Sequence, residues 1–245
     1  MNIINPYRFG AGAFNGFGNA SRDFIAANSD YISIADDDAL SFGNGSEDSQ
    51  FSIAAWCYMD DATNFRIFSK YGTLTAVREY TFSFGGDDLL YALFINTGNA
   101  NRIGRTASGL NTHEGSWVHL AMTYDGTSAS TGINIYLTEV GGTTSAVDDA
   151  DYNNGTYTAM DNSSEPVEIG RLAANSTYAD GKMCDVRLYS KELSSAEVQQ
   201  IADGTHVSDS LVGWWLDDDD DVLDNAGTND GTNNGSDYST DGPNG

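Results

Sequence analysis

The chain has 245 residues, of which 40% are hydrophobic and 11% aromatic. Its 36 acidic residues against 11 basic ones leave a formal charge of −25. That balance excludes nucleic acid, because phosphate binding works through basic side chains that release counterions, and it argues against an anionic membrane surface for the same reason. The length suits one large β-sandwich or two small domains, and no run of about 18 apolar residues exists to span a bilayer.

Residues 1–10 lack a basic stretch followed by an apolar one, so no secretory signal is read there. Residues 1–23 form an N-terminal arm rich in Gly, Asn and Ala, with Phe9, Phe14 and Phe17 as candidate anchors onto a partner or onto the domain itself. Strand patterns then follow in short runs: 31–34, 51–59, 66–70, 80–84, 89–95, 117–124, 133–137, 167–170 and 183–189. Their aromatic and β-branched content favours strands. Regular spacing, with turns made by Gly, Asn, Asp and Ser, argues for a sandwich or barrel. Asp125-Gly126 is a hairpin signal, and Val118, Leu120 and Met122 share one strand face. Ser194 with Glu197 three residues later predicts a capping box, with Gly204 ending the helix. Residues 211–216 read as a last strand, followed by the acidic run 217–221. Composition alone would leave 224–245 disordered; these residues are expected to pack on the domain or on a neighbour. Cys57 and Cys184 make no disulfide framework and read as free, buried, small apolar residues, with a single bridge between them left open.

Four stretches carry a family resemblance. They are Asp30 to Ile34 with Phe51 to Trp56; Gly115 to Gly126; Gly181 to Tyr189 with Lys191 to Glu197; and Val212 to Trp215 with Asp224, Gly227 and Asn229 to Gly231. In order and spacing over residues 24–235, the chain resembles the laminin-G-like jelly roll of the concanavalin A-like lectin/glucanase superfamily. The resemblance implies an all-β fold: a two-sheet antiparallel jelly-roll sandwich with one short helix near 194–203. The domain would span 24–245 and be closed by a C-terminal strand, with 211–216 pairing beside an early strand. A cut after Gly204 is then expected to destabilise the whole domain.

The resemblance also implies one structural Ca2+ near the sandwich rim, with Asp30 and Asp185 as metal candidates. Cys184 stands where relatives carry a further acidic residue. Calcium takes six to eight oxygens, and the turns at 36–38 and 217–221 offer alternatives, although Val222 occupies the position where an EF-hand loop needs glycine. Asp185 and Arg187 are expected to form a structural ion pair rather than a catalytic one.

A sugar platform needs aromatic rings among Asn, Asp or Gln; Tyr152, Tyr157 and Tyr178 are the ligand-binding candidates, weighed against a role as loop anchors. No Glu-x-Asp-x-Glu run supplies the carboxylate pair that glycoside hydrolysis uses. His113, His119 and His206 fall in no nucleophile or zinc motif, and His119, alternating with core residues, reads as simply hydrogen-bonded. The chain is therefore read as a non-enzymatic structural surface protein of a virus particle: a phage capsid-decoration, head-fibre or tail component on the virion surface. Its expected partners are other virion proteins, such as the major capsid protein, and cell-surface glycans, with oligomerisation on the particle giving avidity. The alternative is an extracellular microbial carbohydrate-binding or adhesin module, calcium-dependent in one form. A glycosidase with an unrecognised site is the third option.

Overall fold

The computed structural model describes residues 20–74, 77–96, 101–216 and 221–244. In chain order the strands are β1 (Ser21–Phe24), β2 (Tyr31–Ile34), β3 (Phe51–Asp61), β4 (Arg66–Tyr71), β5 (Arg78–Phe84), β6 (Leu90–Ile95), β7 (Arg102–Ala107), β8 (Trp117–Tyr124), β9 (Ile133–Glu139), β10 (Ser145–Ala146), β11 (Ala150–Asp151), β12 (Val167–Ile169), β13 (Arg171–Leu172), β14 (Thr177–Tyr178) and β15 (Asp180–Tyr189). Helix α1 (Ser195–Ala202) follows, then β16 (Leu211–Trp215), β17 (Gly231–Asn234) and β18 (Asp237–Ser239).

Alternating side chains sort these strands into two antiparallel layers. The first sheet runs β10-β9-β8-β3-β15-β1-β18, with β16 also paired to β15. The second runs β11-β7-β6-β5-β4-β12-β2-β17. Between them lies one apolar core: Ile53, Leu120 and Met122 from the first sheet meet Ile32, Phe82 and Phe94 from the second. Val118, Leu120 and Met122 face it together, as their spacing predicts. The hairpin signalled at Asp125-Gly126 joins β8 to β9, but through residues 125–132 rather than a two-residue turn.

Helix α1 starts where the capping box predicts. The Ser194 hydroxyl accepts the Glu197 amide, and Glu197 reaches back to the Ser194 amide. Val198 and Ile201 pack on Ala54, Ala121 and Tyr189, on the outward side of the first sheet. The helix thus packs on the first sheet, and among the described residues no α-helix covers the outer face of the second.

A bulge in β15 breaks simple strand alternation. Cys184 pairs with Trp56 and the next matched pair is Arg187 with Ala54; between them Asp185 takes a left-handed φ of 52°. The extra residue shifts the alternation. Met183, not Cys184, joins Val186 and Leu188 in the core, and Cys184 packs outside with Trp56 and Ala202. Cys57 lies in the core, so the two thiols face opposite sides of one sheet, and no disulfide joins them.

The ends of the chain also depart from expectation. Strand β16 does not sit beside an early strand: it pairs with β15, end to end with β1 along the same edge. The early strands are closed by the polar tail instead, β17 on β2 and β18 on β1. Backbone ladders, not apolar burial, hold this tail, and composition does not report them. Asp224 folds the turn before it, accepting the amides of Trp214, Ala226 and Asn229. Lys182 pairs with Asp241 at 2.9 Å. At the other end, residues 1–19, with Phe9, Phe14 and Phe17, lie outside the described residues, but Ser21–Asp23 belong to β1 and so to the sandwich rather than to an arm.

Glu168 on β12 makes a pH prediction. Its carboxylate accepts from Arg171 at 2.9 Å, yet burial outweighs that contact and raises its pKa from 4.5 to about 7. The folded state therefore favours the protonated acid, so this group's stabilisation is complete below pH 4.5 and lost as pH rises through 7. Relative to Glu168→Gln, the wild type should lose roughly 3 kcal/mol between pH 4.5 and 8. Urea titrations of both proteins at the two pH values check this; parallel pH profiles would refute it.

Candidate functional site

The open face of the second sheet carries a cleft of about 330 Å³. Its floor follows from alternation. On β5, Tyr80, Phe82 and Phe84 point into the core, which turns Thr81 and Ser83 outward to line the cleft. On β6, Leu90, Ala92 and Phe94 point inward, which turns Tyr91 and Leu93 out. Arg66 and Tyr71 from β4 and Arg102 from β7 complete the floor and wall.

Two aromatic rings form one lip. Tyr91 and Tyr152 meet edge to face, centroids 5.0 Å apart at 76°. Tyr152 follows β11 and is held on β7, its amide donating to the Gly104 carbonyl at 2.8 Å. The Arg102 guanidinium lies 4.7 Å over the Tyr152 ring and donates to its hydroxyl at 3.3 Å. The Tyr91 hydroxyl donates to Asp87 at 2.7 Å; burial first and then this carboxylate push its pKa upward. Gly85 is needed for this packing, since a Cβ there would lie 2.8 Å from the Tyr91 ring.

Arg66 sits deepest. It donates to Thr177, Ser83, Asn64 and the Phe84 carbonyl, all neutral acceptors. Burial lowers its pKa to about 10, so it remains a cation at neutral pH. Tyr71, beneath the guanidinium of Arg78 at 4.7 Å, has its pKa raised by burial, with Arg78 and Arg102 opposing the shift.

The residues singled out from sequence do not gather here. Tyr152 alone of the three tyrosines lines the cleft. Tyr157 donates to Asp48 at 2.8 Å inside a buried network with Tyr124, and so anchors a loop. Tyr178 packs on Tyr31, 6.3 Å between centroids, with Arg171 at 5.8 Å. Asp30 is 3% exposed and accepts the Ile25 amide at 2.9 Å; a Cβ on Gly235 would lie 2.2 Å from its Oδ1, so the tail passes close against it. Asp185 binds Arg187 at 2.7 Å, the structural ion pair expected. A calcium ion at Asp185 would face that guanidinium, which does not fit a cation site. Among the described residues no cluster of three His, Cys, Asp or Glu side chains is arranged for a metal. Among the described residues neither ring nitrogen of His119 has a hydrogen-bond partner, and burial, with Arg187 nearby, lowers its pKa to about 3.

A two-sheet sandwich with one sheet covered by a helix and the other bearing an aromatic, polar cleft defines a lectin-type fold. The sequence model of the concanavalin A-like lectin/glucanases superfamily matches residues 26–199, and the chain belongs to that superfamily. No curated protein matches it in sequence. Among solved structures it is similar to a protein of Bacteroides ovatus ATCC 8483 provisionally assigned as carbohydrate binding (TM-score 0.63, 19% identity), covering 92% of this chain and 60% of that one. The chain thus spans 60% of that protein's length. It is also similar to the native heptameric SAP-like pentraxin of Limulus polyphemus (TM-score 0.50, 10% identity), covering 95% of this chain and 99% of that one. The enzymatically active domain of bacteriophage CBA120 tailspike protein 2 aligns with a TM-score of 0.46 and 13% identity, over 88% of this chain and 35% of that one. At these identities the likeness is one of fold.

Proposed function

We propose that the protein is a non-enzymatic carbohydrate-binding module that takes a glycan in the cleft of the second sheet. The carrying observation is the Tyr91–Tyr152 lip beside Arg102, above a floor of hydroxyl and amide groups. Concave sites with an aromatic surface and a few convergent polar groups are the usual form of small-ligand sites. Asp87 is the one carboxylate among the described lining residues, whereas glycoside hydrolysis uses a pair. A glycan array, repeated with a chelator to test for calcium dependence, should yield a binding sugar. Tyr152→Ala should then weaken that sugar at least tenfold, about 1.4 kcal/mol, with its melting midpoint unchanged. A full-strength Tyr152→Ala complex, or hydrolysis of any bound polysaccharide, would overturn the reading.

The virion setting is supported by where the chain enters the sandwich. Ser21 lies on the β1–β18 edge of the first sheet, its hydroxyl donating to the Asp241 carbonyl, while the cleft opens on the opposite sheet. Co-sedimentation with capsids, lost on removing residues 1–19, is the expected result; unchanged co-sedimentation would remove this reading.

A further inference from the structure

The molecule is acid-rich, yet its cations are distributed unevenly. Lys70, Arg105, Arg171, Lys182, Arg187 and Lys191 each hold a carboxylate within 4.0 Å. Arg66, Arg78 and Arg102 hold none among the described residues. Their guanidiniums reach neutral acceptors and aromatic rings instead. All three meet at the cleft: Arg66 and Arg102 line it, and Arg78 lies on Tyr71, which lines it too. A chain with 36 acidic residues has ample carboxylates to neutralise three arginines. Here Arg66 and Arg102 line one hollow and Arg78 lies on its Tyr71 wall, with Asp87 the one carboxylate among the described lining residues.

The chemistry of each arginine sharpens the point. Arg66 is fixed by dipoles that hold it in place and leave its charge standing. Arg102 has a buried Nε without an acceptor among the described residues, and its planar group is pre-ordered by the Tyr152 ring. A guanidinium so placed suits a planar oxyanion, which it can meet with two parallel hydrogen bonds. At physiological salt the screening length is about 8 Å, so the acidic surface elsewhere does not cancel this local field.

We propose that the ligand of the cleft is an acidic saccharide, a uronic-acid-type glycan whose carboxylate is taken by Arg102 in the positive field of Arg66 and Arg78. The proposal rests on the reading of the cleft as a glycan site and names the class of glycan.

The test is calorimetry on the full chain. The probes are oligogalacturonate, oligoglucuronate and oligomannuronate, each paired with its carboxyl-reduced neutral form, together with neutral glucan and mannan oligomers. At least one acidic oligomer should bind tenfold or more tightly than its reduced form. Arg102→Gln should abolish that preference while keeping the wild-type melting midpoint, and Tyr152→Ala should weaken both forms. Binding of neutral oligomers with no acidic preference, or a preference that survives Arg102→Gln, would overturn the acidic class and leave the glycan site standing. Binding of no oligomer of either kind would overturn both.

Discussion

Asp185→Asn should cost about 3–5 kcal/mol of stability, the usual penalty for removing one partner of a buried ion pair. Arg187 is 1% exposed and Asp185 is its carboxylate partner at 2.7 Å. Beside a hydrogen bond to the Tyr189 side chain, Arg187 meets the Trp214 ring at 4.7 Å and the Thr205 carbonyl at 3.4 Å. None of these neutralises a buried cation, and the nearby His119 is held neutral. Asparagine is the informative replacement because it tolerates the left-handed φ that the bulge imposes, so the change removes charge and leaves the backbone intact. Alanine at the same place would add backbone strain. The double variant Asp185→Asn with Arg187→Met should recover most of the loss, since an uncharged pair in a buried site is often neutral in cost. Urea unfolding with an unchanged denaturant slope reads this directly. A loss under 1 kcal/mol for the single variant would show that the pair does not hold the bulge.

Deleting residues 231–245 should lower the melting midpoint by roughly 10–20 °C. The deletion strips β17 from β2 and β18 from β1, and with them the Lys182–Asp241 pair. At about 1 kcal/mol net per hydrogen bond, two short ladders contribute about 5 kcal/mol. That is a large part of the 5–15 kcal/mol typical of a domain, and each 1 kcal/mol shifts a chain of this size by about 2–4 °C. The loss has a second component. Strands β1 and β2 would become bare edges, ready templates for pairing with other copies. The truncated chain should therefore aggregate on heating where the full chain does not. Scanning calorimetry with light scattering measures both effects, and a midpoint within 3 °C of the full chain would refute the assigned role of the tail. The cut after Gly204 foreseen from sequence removes more than is needed.

Local signals in the sequence were reliable where a single element decides the outcome. Val118, Leu120 and Met122 found the core because strand alternation is intrinsic to the backbone. Ser194 and Glu197 found the helix because a cap is a contact across three residues. Readings failed where geometry depends on a partner strand. Nothing in the run Met183 to Leu188 announces that Asp185 bulges and flips the phase. Nothing in Leu211 to Trp215 says which strand it will join. The tail was expected to pack on the domain, and it does, but composition alone would leave it disordered because its order comes from main-chain pairing to residues 21–34.

The cleft was nearly invisible for the same reason. Arg66, Tyr71, Tyr91, Arg102 and Tyr152 are spread over nearly ninety positions and meet only through the order of strands in the second sheet. Of the three tyrosines named from one polar stretch, Tyr152 lines the cleft, whereas Tyr157 bonds Asp48 and Tyr178 packs on Tyr31. One usable signal was present: polar residues alternating with core aromatics on β5, at Thr81 and Ser83, mark a strand whose outer side is left for solvent or ligand.

The β1–β18 and β2–β17 ladders have a consequence for biosynthesis. Among the described strands, β1 and β2 leave a ribosome well before β17 and β18, their outer neighbours, with some two hundred residues between them. Closing so long a loop is entropically slow, so the sandwich cannot be completed while the tail is still in the exit tunnel. Until then the strands near the start of the chain wait with open flanks, and the crowding of thirty-six acidic side chains along the nascent polypeptide works to keep unfinished copies from joining one another during that wait.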